Sequence, residues 1–176
     1  MSRALLLLAA LSASALVASC GDPVHDAEVT ALGPEASGVS PGPDHRPGQP
    51  CLVCHGGQGP ASAQFSLAGT VYQAQDNTVG IGQVQVKITD VNKSTGTATT
   101  NSVGNFYITA STYTPTYPAD VELDYTGLSQ AVQMLTHIGR EGSCGYCHFD
   151  PAGPTTPGHV FLALDPSDLP QSGGTP

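Results

Sequence analysis

The fold is decided by three stretches: FSLAGTVY (65–72), QVQVKITD (83–90) and TGTATTNSVGNFYITA (95–110). In the second stretch, apolar residues occupy every second position from Val84 to Ile88. This alternation places the apolar side chains on one face of a β-strand, which is typical of a strand with one buried side. The first and third stretches show the same pattern more weakly, so all three are predicted to form strands.

Further strands extend this pattern toward the C-terminus. The third stretch predicts a hairpin that turns at residues 103–105, and ADVELDY (119–125) predicts another strand. LSQAVQMLTHI (128–138) fits either a strand or a short helix, and VFLAL (160–164) predicts a short last strand. No segment of the mature chain requires a helix. The predicted fold is therefore all-β, a small antiparallel β-sandwich.

Composition restricts both size and function. The 176 residues allow one domain with appendages, while 21 Gly, 15 Pro and no Trp leave a thin protein core. A prosthetic group could supply the missing apolar mass. The chain has 5 Lys+Arg against 14 Asp+Glu and a formal net charge of −9. Without a basic patch, nucleic-acid binding is excluded, and a protein partner that docks by charge should be basic.

The central strands resemble a known family. Gly69-Thr70-Val71, the strand from Val84 to Thr89, and residues 100–106 are similar to the carboxypeptidase regulatory-like family, a transthyretin-like β-sandwich. The resemblance implies a spacer or interaction module without catalytic residues, so no functional residue is carried over. The loop 73–82 and the Pro-rich stretch 112–118 depart from the family pattern.

The N-terminal residues form a targeting signal. Arg3 is followed by an apolar run of 14 residues from Ala4 to Val17. This run is too short to cross a bilayer but fits a signal segment. The run ends in VASC, which resembles the lipobox of bacterial lipoproteins. The resemblance implies cleavage before Cys20, lipidation of Cys20 and, with Gly21 following, export to the outer membrane of a Gram-negative bacterium. An ordinary signal peptide cut elsewhere is the alternative.

The other four cysteines lie in two identical spacings. The first motif, CLVCH, contains Cys51, Cys54 and His55. The second, CGYCH, contains Cys144, Cys147 and His148 at the same spacing. C-x-x-C-H is typical of c-type haem attachment, because two thiols three residues apart can add to the two vinyl groups of a haem. The histidine that follows can then bind the iron. Two covalently attached haem groups are therefore expected, and no cysteine remains for a disulfide.

Other uses of these cysteines are open. Two C-x-x-C pairs could form a Cys₄ zinc site, although both histidines would then be unexplained. A thiol–disulfide redox site would need a thioredoxin-like context that the strands do not offer. The chain most resembles a diheme c-type cytochrome lipoprotein with a β-sandwich between its haem motifs. The helical cytochrome c fold is not implied, because both motifs lie in Gly/Pro-rich sequence.

Each haem iron also needs a distal ligand. His45 lies six residues before Cys51 and His137 lies seven before Cys144, which looks like a loose repeat. We expect His45 and His137 to be the distal ligands. The rivals are His159, His25 and the one methionine after the cleavage site, Met134.

These expectations divide the chain into six segments. They are a lipoprotein signal peptide (1–19), a flexible tether (20–44), a first haem-binding segment (45–62), the β-sandwich (63–136), a second haem-binding segment (137–164) and a disordered tail (165–176).

The expected function is that of a membrane-anchored electron carrier outside the cytoplasm, on the periplasmic or cell-surface side, with redox proteins as partners. One alternative is a diheme peroxidase-like oxidoreductase, which needs an open iron position. Another is a non-redox interaction lipoprotein with a structural zinc site. The haems would lie either at opposite poles or side by side, and the Gly/Pro-rich ends favour the second arrangement.

Overall fold

The computed structural model describes residues 22–35, 37–75 and 77–170. The predicted signal segment and Cys20 lie outside these residues, as does the end of the predicted tail. The chain divides into two compact units, residues 1–33 and 34–176. No helix among the described residues has the length and apolar character needed to span a bilayer.

In the described part of the second unit, seven strands form two sheets, consistent with a β-sandwich. The first sheet has the order β4-β1-β7 and the second the order β3-β2-β5-β6. The strands are β1 (Phe65–Ala74), β2 (Gln85–Asp90), β3 (Thr95–Thr99), β4 (Asn105–Thr109), β5 (Ala119–Asp124), β6 (Val132–Gln133) and β7 (Val160–Ala163).

The core lies between the two sheets and uses the alternating residues of the sequence pattern. In β2, Val86 and Ile88 are buried, while Gln85, which immediately precedes Val86, is exposed. The first sheet supplies buried residues from β1 and β4, and the second from β2 and β5. These residues are Leu67, Val71, Phe106, Ile108, Val86, Ile88, Ala119 and Leu123.

The predicted hairpin at residues 103–105 is wrong. β3 pairs with β2, whereas β4 pairs with β1 in the other sheet, so the turn connects two sheets. Asn101 organises this turn, because its side-chain oxygen accepts bonds from the N–H groups of Val103 and Asn105. Gly104 takes a positive φ of 83°. The local sequence signals a turn, but tertiary packing decides which strands it joins.

The prediction of an antiparallel sandwich is wrong for one pair of strands. β7 pairs with β1 in parallel, with Val71 opposite Val160. Ser143 lies beside Ala68 on β1, also in parallel. The chain therefore runs beside β1 at Ser143, leaves to form the second C-x-x-C-H segment, and returns to β1 as β7 in the same direction.

Short helices occur that the sequence pattern did not require. α1 (Pro23–Ala31) lies in the predicted flexible tether, where the Asp22 side chain caps it and proline occupies its first turn. α2 (Leu52–His55) and α3 (Cys144–Cys147) are single turns in the two cysteine segments. The ambiguous stretch 128–138 contains β6 and is not helical.

The prediction of a disordered tail from residue 165 is wrong for its first residues. Pro166–Asp168 form a 3₁₀ turn that the Asp165 side chain caps. Leu169 is buried against the core, so this apolar side chain holds the chain to the sandwich.

Candidate functional site

Both C-x-x-C-H motifs fold in the same way. In each, the histidine N–H donates to the carbonyl of the first cysteine, His55 to Cys51 at 2.9 Å and His148 to Cys144 at 2.8 Å. One helical turn brings residues three apart to the same side, so the two thiols of each motif are neighbours. The sequence predicted the segments as loops, and the structure adds one turn of helix to each.

The side chains of the two motif histidines are oriented by backbone carbonyls. Nδ1 of His55 lies 2.8 Å from the carbonyl oxygen of Ala63, and Nδ1 of His148 lies 3.0 Å from that of Gly158. A carbonyl can only accept, so Nδ1 must carry the proton. Nε2 then keeps its lone pair, which is the form of histidine that binds a metal.

Burial favours the neutral form of the second histidine. Loss of solvent lowers the pKa of His148, against a smaller raising effect of its bond to Gly158. The ring therefore stays unprotonated near neutral pH, as a metal ligand must be.

The four described cysteines are unpaired thiols. Burial raises the pKa of Cys51 to about 11, and burial with the neighbouring Cys51 thiol raises that of Cys144 to about 12. Cys51 and Cys144 therefore remain protonated near neutral pH, the form that is a poor nucleophile.

Among the described residues, no group of three or more His, Cys, Asp or Glu side chains converges to hold a metal ion. The four thiols of the two motifs thus do not form a Cys₄ cluster in this structure.

The two motifs lie against each other, although they are far apart in sequence. The N–H of Leu52 donates to the hydroxyl of Ser143 at 3.5 Å. A Cβ added to Gly145 would lie 2.7 Å from the carbonyl oxygen of Gln49. The segments around the first and second motifs are therefore in direct contact.

Strand β1 is the common support of both motifs. The hydroxyl of Thr70 accepts from the N–H of Gly48, in the segment that precedes the first motif, at 2.7 Å. At Gly69 an added Cβ would lie 2.6 Å from Cβ of Cys144 and 2.9 Å from its Sγ. Gly69 therefore lets the second motif pack on the strand. A glycine inside a strand is the one sequence signal that could have indicated this close approach.

Of the predicted distal ligands, His45 lies beside a motif histidine. Its ring centroid is 5.8 Å from that of His55, and the two rings are inclined by 19°. The N–H of Gly42 donates to Nδ1 of His45 at 3.3 Å. Binding a metal through Nε2 would therefore require His45 to give up this bond and carry its proton on Nδ1.

A large cavity adjoins the second motif, and the sequence did not predict it. It has a volume of about 560 Å³ and is lined mainly by apolar side chains from both sheets. Cys144, Cys147 and His148 line it, and so do three of the candidate ligands, Met134, His137 and His159. This volume lies within the usual range for small-molecule and cofactor sites.

The remaining candidate, His25, lies in the first unit on α1, where Nδ1 is 4.0 Å from a Glu28 carboxylate oxygen.

Comparisons of this chain with family models, with curated proteins and with solved structures found no match.

Proposed function

We propose that this chain is a lipid-anchored diheme c-type cytochrome that transfers electrons between proteins outside the cytoplasm. The observation that carries the proposal is the repeated arrangement of Cys51, Cys54 and His55 and of their counterparts in the second motif. In both, two thiols lie on one turn, and the contact of Nδ1 with a carbonyl selects the tautomer whose neutral ring presents the Nε2 lone pair.

When bound, each haem would supply a one-electron iron couple. The chain's own residues hold and tune it. The thiols of each motif would anchor the porphyrin, and His55 and His148 would bind the iron through Nε2. The carbonyls of Ala63 and Gly158 fix the two imidazole orientations, which also makes the rings better ligands.

The surroundings of the two motifs differ. His45 stands beside His55 and is the proposed distal ligand of the first haem. The second motif opens on the 560 Å³ cavity, whose apolar lining suits a porphyrin and would exclude water from it. The thin core inferred from composition is consistent with a prosthetic group that completes it.

Contact between the motifs supports an electron carrier over two independent sites. Leu52 and Ser143 join the segments that hold the two haems, so an electron could pass between them without leaving the protein. The acidic chain would present this pair to basic redox partners. The carboxypeptidase regulatory-like sandwich, on this proposal, is the scaffold that holds the two haem-binding segments together, and Cys20 anchors it to the outer membrane.

Haem content tests the proposal directly. The mature protein should stain for covalent haem, and its mass should exceed that of the polypeptide by two haem groups. Replacement of Cys51 and Cys54 by Ala should leave one haem, and replacement of all four motif cysteines should leave none. A wild-type protein without covalent haem, or a Cys51→Ala/Cys54→Ala variant that keeps two, contradicts the assignment.

A peroxidase-like enzyme is the second candidate, because Arg140, Glu141 and His159 place polar groups on the cavity wall. Such an enzyme needs an iron with an open coordination position. A high-spin iron in the isolated wild-type protein would favour it, whereas two six-coordinate low-spin irons favour the electron carrier.

A further inference from the structure

Three side chains that line the cavity could bind an iron held at the second motif: Met134, His137 and His159. The sequence favoured His137 on spacing alone. Burial, side-chain contacts and the register of β6 distinguish the three.

The ring of His159 is held by groups outside the second motif. It packs flat on Tyr72, with ring centroids 4.0 Å apart, and its Nε2 lies 3.4 Å from Asp150. Binding an iron through Nε2 would require His159 to give up the contact with Asp150. Its Nδ1 is buried without a hydrogen-bond partner.

The register of β6 directs Met134 toward the core. Val132 lies opposite Leu123 of β5, and the N–H of Met134 donates to the carbonyl of Val121 at 3.0 Å. Residues opposite each other in an antiparallel pair have their side chains on the same face. Leu123 is buried and Val121 packs against the core, so the half-buried Met134 belongs to the cavity face.

His137 lies on a bent part of the chain beyond β6. Ile138 exchanges two backbone bonds with Ala119, a pairing shifted by two residues from that of β6, and the chain bends at residues 135 and 136. His137 lines the cavity but its side chain is exposed. The half-buried Met134 is therefore more enclosed at the cavity than His137.

On the basis of the proposed function, we propose that Met134 is the distal ligand of the haem at the second motif, opposite His148. That haem would have His/Met ligation, while the first would be held by His55 and His45. Methionine ligation raises the reduction potential relative to two histidines. The haem at the second motif would therefore have the higher potential, and an electron shared between the haems would reside mainly there.

The test compares the holoprotein, with two haems confirmed by mass, with single variants. Met134→Leu keeps the shape of the side chain and removes the thioether sulfur. One haem in two should lose the red-region absorption band of ferric His/Met haem and, when reduced, bind carbon monoxide. The higher of the two reduction potentials should fall. Met134→His should restore a six-coordinate haem that excludes carbon monoxide and has a lower potential than in the wild type.

His137→Ala and His159→Ala are the matched controls that remove the rival ligands, and both should keep the red-region band and exclude carbon monoxide. If either control opens an iron while Met134→Leu leaves the spectrum unchanged, the ligand assignment is wrong and the diheme function stands. If the mature protein carries no haem, the proposed function fails and this assignment fails with it.

Discussion

The N–H of Leu52 donates to the hydroxyl of Ser143 across 91 residues of sequence, and this bond joins the first cysteine segment to the second. Ser143 is buried, and its backbone lies beside Ala68 of β1. The two predicted haem sites are therefore neighbours on one strand. Of the two arrangements open from the sequence, this contact favours side-by-side haems.

Neighbouring haems should be electronically coupled. We expect the wild-type protein to show a paired positive and negative circular dichroism signal in the Soret region, because two porphyrin transitions close together interact. The Cys51→Ala/Cys54→Ala variant, with one haem, should show a single band. A wild-type spectrum equal to the sum of the two one-haem variants would place the haems too far apart to interact.

Gly69 should tolerate no side chain. In Gly69→Ala the new Cβ meets Cβ and Sγ of Cys144 within 3 Å, so the strand or the second motif must shift. We expect a loss of about 1–3 kcal/mol in the free energy of unfolding, which is typical of overpacking. Denaturant unfolding measures it. Gly139→Ala is the control, because its Cβ meets nothing within 4 Å. Equal stability of the two variants would show that Cys144 does not pack on Gly69.

His45 should control ligand access at the first haem. In His45→Ala we expect one iron to become five-coordinate and to bind carbon monoxide, because the ring beside His55 is gone. The absorption spectrum and carbon monoxide titration measure this. His25→Ala, on α1 in the first unit, is the control and should leave both haems closed. An unchanged spectrum in His45→Ala would remove His45 as a ligand and make His25 or His159 the next candidate.

The buried thiols should react slowly in haem-free protein. The thiolate is the reactive form, and burial raises the pKa of Cys51 to about 11. Alkylation of Cys51 should therefore accelerate as pH rises toward 11, while the exposed Cys147 reacts first. The raised pKa of Cys51 also links the free energy of unfolding to pH, because folding favours the protonated thiol. This stabilisation is fully present below the unfolded pKa of 9.0 and is lost as pH rises through about 11.

Mass spectrometry of alkylated peptides at a series of pH values provides the measurement, and denatured protein is the control in which all thiols react alike. Rapid modification of Cys51 at neutral pH would contradict its raised pKa.

Cys20 should determine membrane association. The VASC sequence predicts a lipid anchor, so the wild type should sediment with membranes and Cys20→Ala should be released, with its haem content unchanged. Membrane fractionation and immunoblotting measure this. A wild type recovered wholly in the soluble fraction would reject the anchor.

Part of the fold follows from local pattern alone. Alternation from Val84 to Ile88 correctly predicted a strand with one buried face, because side-chain direction in a strand is a local property. The turn at Gly104 was also recognisable. Its role was predicted wrongly, because the sheet that each flanking strand joins depends on contacts with β1 and β2, which a local pattern does not contain.

The sequence by itself determined the chemistry of the motifs. Two thiols three residues apart and an adjacent histidine are a local arrangement that any short helical turn brings together. Only the tertiary structure decided that the motifs meet at Leu52 and Ser143, that carbonyls of Ala63 and Gly158 set the histidine tautomers, and that the second motif opens on a cavity. These features join residues from both sheets and both motif segments, and packing of the core fixes them all at once.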